Sequence, residues 1–173
     1  MATHRIPILN WSSKPDTSGK VWFENLGLLG GGTGAWDRFI LRIDETGAND
    51  TQLSTRVGIH GGFTVPKNYN SGAVLVIEWS GSVTSGNKVF DFDYRAVAVD
   101  QSLNQSGQDE SITVTDAMPG TAWFRQEATI SLTSGNFAVD DEVEFKFFED
   151  GADAADTAAA AAAIFNLLFE YTD

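Results

Sequence analysis

From Trp36 onward, apolar residues recur at every second position in short runs. In WDRFILRID, Phe39, Leu41 and Ile43 share one parity with Asp37, while Arg38 and Arg42 take the other. A period of two marks a strand whose two faces meet different surroundings. The cleanest case is KVFDFDYRAVAV, where Phe90, Phe92 and Tyr94 alternate with Asp91, Asp93 and Arg95. It reads as a strand with one solvated face. SITVT follows, then AWFRQEATISL, predicted to bury Phe124, Ala128, Ile130 and Leu132. EVEFKFF sets Val143, Phe145 and Phe147 on one face. AVLVIEW is apolar on both parities as far as Glu78, which predicts a strand covered on both sides. TRVGIHGGFTVP is interrupted by glycines and stopped by Pro66, predicting a bulged or bent strand.

The chain closes on IFNLLFEY. Phe165, Leu167, Phe169 and Tyr171 fall on one parity, and Ile164, Asn166, Leu168 and Glu170 on the other. This predicts a last strand. The alanine-rich DGADAADTAAAAA before it then becomes a crossover, helical or coiled, with any short helix expected within Gly151–Ala163. ETGAND, KNYNSG, SGNK, NQSGQDE, MPGT and TSGN separate the runs as turns. The predicted fold is an all-β antiparallel sandwich, a jelly roll of about eight strands.

Residues 1–34 lack this periodicity. Pro7, Pro15 and the run LGLLGGGTG punctuate them, and they read as an arm or extended lead-in to a β-sandwich domain over 35–173. The glycine run lacks the Gly-Lys-Ser/Thr ending of a phosphate loop. Ile6, Ile8, Leu9, Trp11, Trp22 and Phe23 are too apolar to leave in water, which predicts that the segment packs on a neighbouring chain. Pairing as an edge strand of its own sandwich is the alternative.

Charge changes the picture in one respect. Arg5, Lys14 and Lys20 against Asp16 and Glu24 leave 1–34 at +1, so the rest carries −14 of the total −13. Such a body repels phosphate, and nucleic acid is not an expected partner. The longest apolar stretch, 158–169, is well short of the about 20 residues a spanning helix needs, so no membrane partner is expected. The start has no apolar segment of signal-peptide length and reads as a mature N-terminus. Without cysteine there is no disulfide framework, zinc-thiolate site or thiol nucleophile.

Candidate chemistry is sparse. His4 and His60 are the two imidazoles, with no G-x-S-x-G elbow and no zinc spacing. Asp91 with Asp93, and Glu142 with Glu144, pair carboxylates at i, i+2. The glucanase-type E-x-D-x-x-E fails because Phe147 occupies its last position. Asp150, Asp153 and Asp156, or Asp44, Glu45, Asn49 and Asp50, present oxygens for Ca²⁺, but neither set follows the EF-hand order, and caps or solvated turns are expected. Trp79 and Trp123 lie in strand patterns. Trp11, Trp22 and Trp36 cluster near the arm, where they suit either a subunit contact or sugar stacking. The expectation is a non-enzyme without metal or cofactor.

The run D-x-V-x-F-x-F-x-x-D-G-A-D-A-A-D-T, its alanine-rich connection and the aromatic strand ending at Tyr171 resemble a recurrent type of tailed-bacteriophage virion protein. EDGADAADT (149–157) is the strongest element, and the likeness covers about 35–173. That resemblance implies a capsid decoration or cement protein holding the shell through its N-terminal arm. It further implies major capsid protein or other virion proteins as partners, a homo-oligomer with a trimer foremost, and a virion location after assembly in the host cytoplasm. A tail or fibre component, or a glycan-binding β-sandwich module, is the alternative.

Overall fold

Each alternating run from Phe39 onward becomes a strand, and three more form within the segment read as an arm. The computed structural model describes residues 1–8, 10–12, 20–25, 39–44 and 56–173, the middle three segments through their backbone course and pairing alone. The strands are β1 (Thr3–Pro7), β2 (Asn10–Ser12), β3 (Lys20–Asn25), β4 (Phe39–Asp44), β5 (Arg56–Thr64), β6 (Ser71–Ser80), β7 (Asn87–Val97), β8 (Glu110–Ala117), β9 (Gln126–Ser131), β10 (Glu142–Asp150) and β11 (Ala163–Thr172). The first sheet runs β3-β4-β11-β6-β9, with β1 also against β11; the second runs β2-β5-β10-β7-β8. Every pairing is antiparallel. Apart from the β3–β4 and β7–β8 hairpins, successive strands switch sheets, as in a jelly roll. The fold is an antiparallel β-sandwich.

Aromatic rings fill the space between the sheets. Trp79 meets Phe90 at 5.2 Å, Phe92 meets Phe145 at 5.3 Å, and Phe137 bridges Tyr94 at 4.9 Å to Phe169 at 5.5 Å. Burying each such side chain stabilises the fold by about 1.5–3 kcal/mol.

The segment expected to act as an arm is paired into both sheets wherever it is described. β1 lies along the C-terminal half of β11, from Thr3 opposite Thr172 to Pro7 opposite Leu168. β2 edges β5, and β3 edges β4. Ile8 is buried in the chain's own core and Ile6 packs against that core. Trp11 lies opposite Gly61, Trp22 opposite Arg42 and Phe23 opposite Leu41. Leu9 and Trp36 fall outside the described residues.

Several local expectations need correction. β5 pairs with β10 without a break from Thr64–Glu142 to Arg56–Asp150, so its glycines do not mark a bulge. Gly58 serves a close approach: a Cβ there would stand 1.9 Å from the Phe147 carbonyl oxygen and 2.6 Å from the Phe148 ring. The irregularities lie in β11, where the register against β6 shifts between Glu170 and Thr172 and also between Ile164 and Asn166. The latter shift brings Ile164 into the core with Leu167, Phe169 and Tyr171, and leaves Phe165 partly exposed. The predicted strand from Ala122 starts only at Gln126. Trp123 sits at φ 65° in a turn, its N–H donating to the Gly81 carbonyl at 2.8 Å, and Phe124 is 63% exposed instead of buried. The turn reverses the parity that alternation alone would carry through.

The alanine-rich crossover is not helical. Among the described residues the one helical turn is a 3-10 turn at Ser134–Asn136. The crossover's first part closes on its own turns, and its later donors find partners on the strands: Thr157 and Ala158 N–H both donate to the Asn87 carbonyl at 3.0 Å, and Ala162 N–H donates to the Glu149 carboxylate at 3.0 Å. Ala158 and Ala160 to Ala163 are buried, packing where larger side chains would hold the segment off. Tertiary contacts override the helix propensity of alanine here.

Candidate functional site

The outer face of the second sheet carries a continuous polar surface because the register lines up chemically matched residues. Across β5, β10, β7 and β8, His60, Lys146, Asp93 and Ser111 form one row; Gly58, Phe148, Asp91 and Thr113 form the next. On the other side of the first row stand Gly62, Glu144 and Arg95.

Asp91 and Asp93, expected on a solvated face, are only 6% and 8% exposed. Arg56 covers them, its guanidinium 3.9 Å above the Phe148 ring. Its Nε donates to Asp91 Oδ2 at 2.8 Å and its Nη2 to Asp93 Oδ2 at 3.1 Å. Thr113 and Ser111 hydroxyls donate to the two Oδ1 atoms, each at 2.6 Å. Burial pushes the Asp91 carboxyl above its usual range, against the pull of Thr113 and Arg56. Each oxygen of this pair already has a donor, which leaves little for acid–base work on a substrate.

Beside this ladder the face opens into a cleft of about 700 Å³. Gly61 and Gly62 leave its lining low at β5, and His60, Lys146, Arg95 and Gln108 reach into its walls. Arg95 is fixed on three sides: Nε donates to Glu144 Oε2 at 2.7 Å, and its terminal nitrogens donate to the Leu103 carbonyl at 2.7 Å and the Gln105 carbonyl. It thereby holds the long β7–β8 loop against the sheet. Asp109 Oδ2 secures the same loop by accepting the Ala96 N–H at 2.8 Å. Glu142 accepts from the Thr64 hydroxyl at 2.9 Å. Lys146 is exposed. The cleft presents donors and acceptors of both signs, largely preset by neighbours.

The other sequence candidates disperse. Asp150 and Asp153 close turns by accepting Ala152 N–H at 3.0 Å and Ala155 N–H at 2.7 Å, while Asp156 is buried against Lys88 at 3.1 Å. Among the described residues no group of three His, Cys, Asp or Glu is placed to hold a metal ion. Asp44 lies opposite Lys20 in β3; Glu45, Asn49 and Asp50 fall outside the described residues. His4 stacks on Tyr171 and meets Asp173 at 3.0 Å, away from the cleft's lining. Trp79 is buried, its indole N–H donating to Asp116 at 3.0 Å. Of the sequence candidates, His60, Asp93, Glu142 and Glu144 line this cleft, while Arg95, Lys146 and Gln108, which also line it, were not singled out. Their role comes from strands far apart in the chain, and no local spacing signals it.

An antiparallel sandwich with an open, polar cleft on one sheet defines the class of this protein. No protein-family model matches the chain, and no curated protein sequence does. Among solved structures it is similar to the CBM35 domain of Cellvibrio japonicus Abf62, at 14% identity and a TM-score of 0.51, covering 97% of this chain and 92% of that one. It is similar to part of the arabinose-bound MgGH51 α-L-arabinofuranosidase, at 14% identity and a TM-score of 0.51, spanning 24% of that chain and 95% of this one. A family 35 carbohydrate-binding module from Clostridium thermocellum aligns over the whole of both chains, at 10% identity and a TM-score of 0.48. At these identities the likeness is one of fold.

Proposed function

We propose that the protein is a glycan-binding β-sandwich module that takes a carbohydrate in the cleft on the second sheet. The observation that carries this reading is the cleft itself: a trough past Gly61 and Gly62, walled by preset donors and acceptors of both signs. Sugar hydroxyls donate and accept at once, so a ligand rich in them suits such a wall better than a polyanion, which the chain's net charge of −13 repels. The shared sandwich with a CBM35 domain supports the same class. We read the role as binding without turnover, because Asp91, Asp93, Glu142 and Glu144 are each engaged by donors of the fold. The virion decoration reading, with its capsid partners, trimer and arm-borne attachment, rests on a resemblance over about 35–173 whose strongest element is the pattern at 149–157. In the fold those residues form turns and a buried contact, which is a packing reason for the pattern.

The test is native electrophoresis through gels holding soluble neutral polysaccharides. At least one glucan, mannan, xylan, arabinan or galactan should retard the protein. Lys146→Ala and Gln108→Ala, both at exposed positions, should abolish that retardation while the circular dichroism stays unchanged. No retardation by any polysaccharide, or equal retardation of the variants, would contradict the reading.

A further inference from the structure

At the end of the sandwich where the crossover closes, three ionisable side chains meet buried from solvent. Lys88 lies on β7, Glu149 on β10, and Asp156 on the crossover between β10 and β11. Lys88 and Glu149 are fully buried and Asp156 nearly so. Lys88 Nζ stands 2.6 Å from Glu149 Oε1 and 3.1 Å from each oxygen of Asp156. Glu149 is fixed in turn by the Ala162 N–H, which donates to its two oxygens at 3.2 and 3.0 Å. Asp156 is held in place by its own turn, its N–H donating to the Asp153 carbonyl at 3.0 Å.

We propose that Lys88 and Asp156 join in an intramolecular isopeptide bond, formed after folding with Glu149 as the proton carrier. Glu149 takes a proton from the Lys88 ammonium, leaving a neutral amine against the Asp156 carboxyl group. Nζ attacks Asp156 Cγ, forming a C–N bond and a tetrahedral centre. Glu149 delivers that proton to one Asp156 oxygen, takes a second proton from the now positively charged Nζ and passes it to the same oxygen, so that one C–O bond breaks and one water leaves. Ammonium and carboxylate become an amide and water, Glu149 ends as it began, and no oxidant or reductant enters.

Three features favour the step. With Nζ 3.1 Å from both Asp156 oxygens, carboxylate geometry sets it about 3–3.5 Å from Cγ, the range of near-attack geometry, and the fold holds it there. Burial pushes both the Glu149 and Asp156 carboxyls above their usual range, the neighbouring ammonium notwithstanding. An Asp156 carboxylate that readily accepts the ammonium's own proton is the better electrophile, and a readily protonated Glu149 is both the acceptor of that proton and the donor to the leaving oxygen. Finally, an ion pair buried from solvent carries a desolvation cost for each charge, whereas an amide removes both charges and releases the water formed.

Intact-mass spectrometry of the full-length denatured chain decides the matter, followed by tryptic mapping. The wild-type chain should be lighter than its sequence by one water, should resist cleavage after Lys88, and should yield a branched peptide joining Lys88 to Asp156. A succinimide at Asp150–Gly151 would give the same mass loss without the branch, so mass loss lacking that peptide overturns the proposal. Glu149→Gln, which keeps the shape and the Ala162 hydrogen bond, should stay folded by circular dichroism and show the full sequence mass; Asp156→Ala should show the full mass too. A wild-type chain at full mass means an ion pair only and overturns the bond. A folded Glu149→Gln chain that still carries the branch overturns the role given to Glu149.

Discussion

At the scale of single residues, the fold depends on carboxylates that collect several donors from different strands. Glu110 accepts from the Tyr94 hydroxyl at 2.6 Å, and from the Thr133 N–H and hydroxyl at 2.9 Å each. One side chain therefore ties β7 and β8 to the segment after β9. Burial would raise its carboxyl, but the hydrogen bonds from Tyr94 and Thr133 outweigh it and hold the group below its usual range. A carboxyl depressed in the folded state stabilises the fold above the unfolded value, and that stability is lost as pH falls through the folded one. Urea unfolding of wild type and Glu110→Gln should therefore differ most near neutrality, and the gap should close as pH drops below the ordinary carboxylate range. A gap independent of pH would show that shape, not charge, is what Glu110 supplies. None of this is legible in the sequence, where Glu110 is an acidic residue in the turn signal NQSGQDE.

At the scale of elements, alternation succeeded where both faces of a strand keep one register from end to end. Phe90, Phe92, Tyr94, Val143, Phe145 and Phe147 all point to the core as their parity predicts. It failed where a local event reverses parity: the left-handed turn at Trp123 and the register shift after Ile164. It also could not separate an exposed polar face from a buried one, because Asp91 and Asp93 owe their burial to Arg56, which lies 35 residues from Asp91 and 37 from Asp93 in the chain. The first strand is the element the pattern missed most fully. β1 covers the edge of β11 and brings Ile8 into the core, and Arg5 Nε donates to Glu170 at 2.6 Å while its Nη1 meets Glu127 at 3.1 Å. Losing Ile8 alone removes about 1.5–3 kcal/mol of burial. Deleting residues 1–8 should lower the urea midpoint by at least that equivalent. An unchanged midpoint would return the segment to the role of an arm.

For the whole molecule, the sandwich was legible because its core strands carry a period of two and its turns carry Gly, Asn and Pro. The cleft was not, because it exists only once β5, β7 and β10 lie side by side and Arg95 draws the β7–β8 loop over the sheet. Net charge of −13 keeps polyanions at a distance, and the cleft's paired charges are the ground on which a neutral, hydroxyl-rich ligand is proposed. The most direct measurement of this account is backbone-amide NMR during titration with neutral oligosaccharides of each backbone class. With at least one of them, saturable shifts should gather at His60–Gly62, Arg95, Gln105–Gln108 and Glu144–Lys146. Spectra that stay unchanged with every class, or saturable shifts confined to the turn around Trp123 and Phe124, would contradict it.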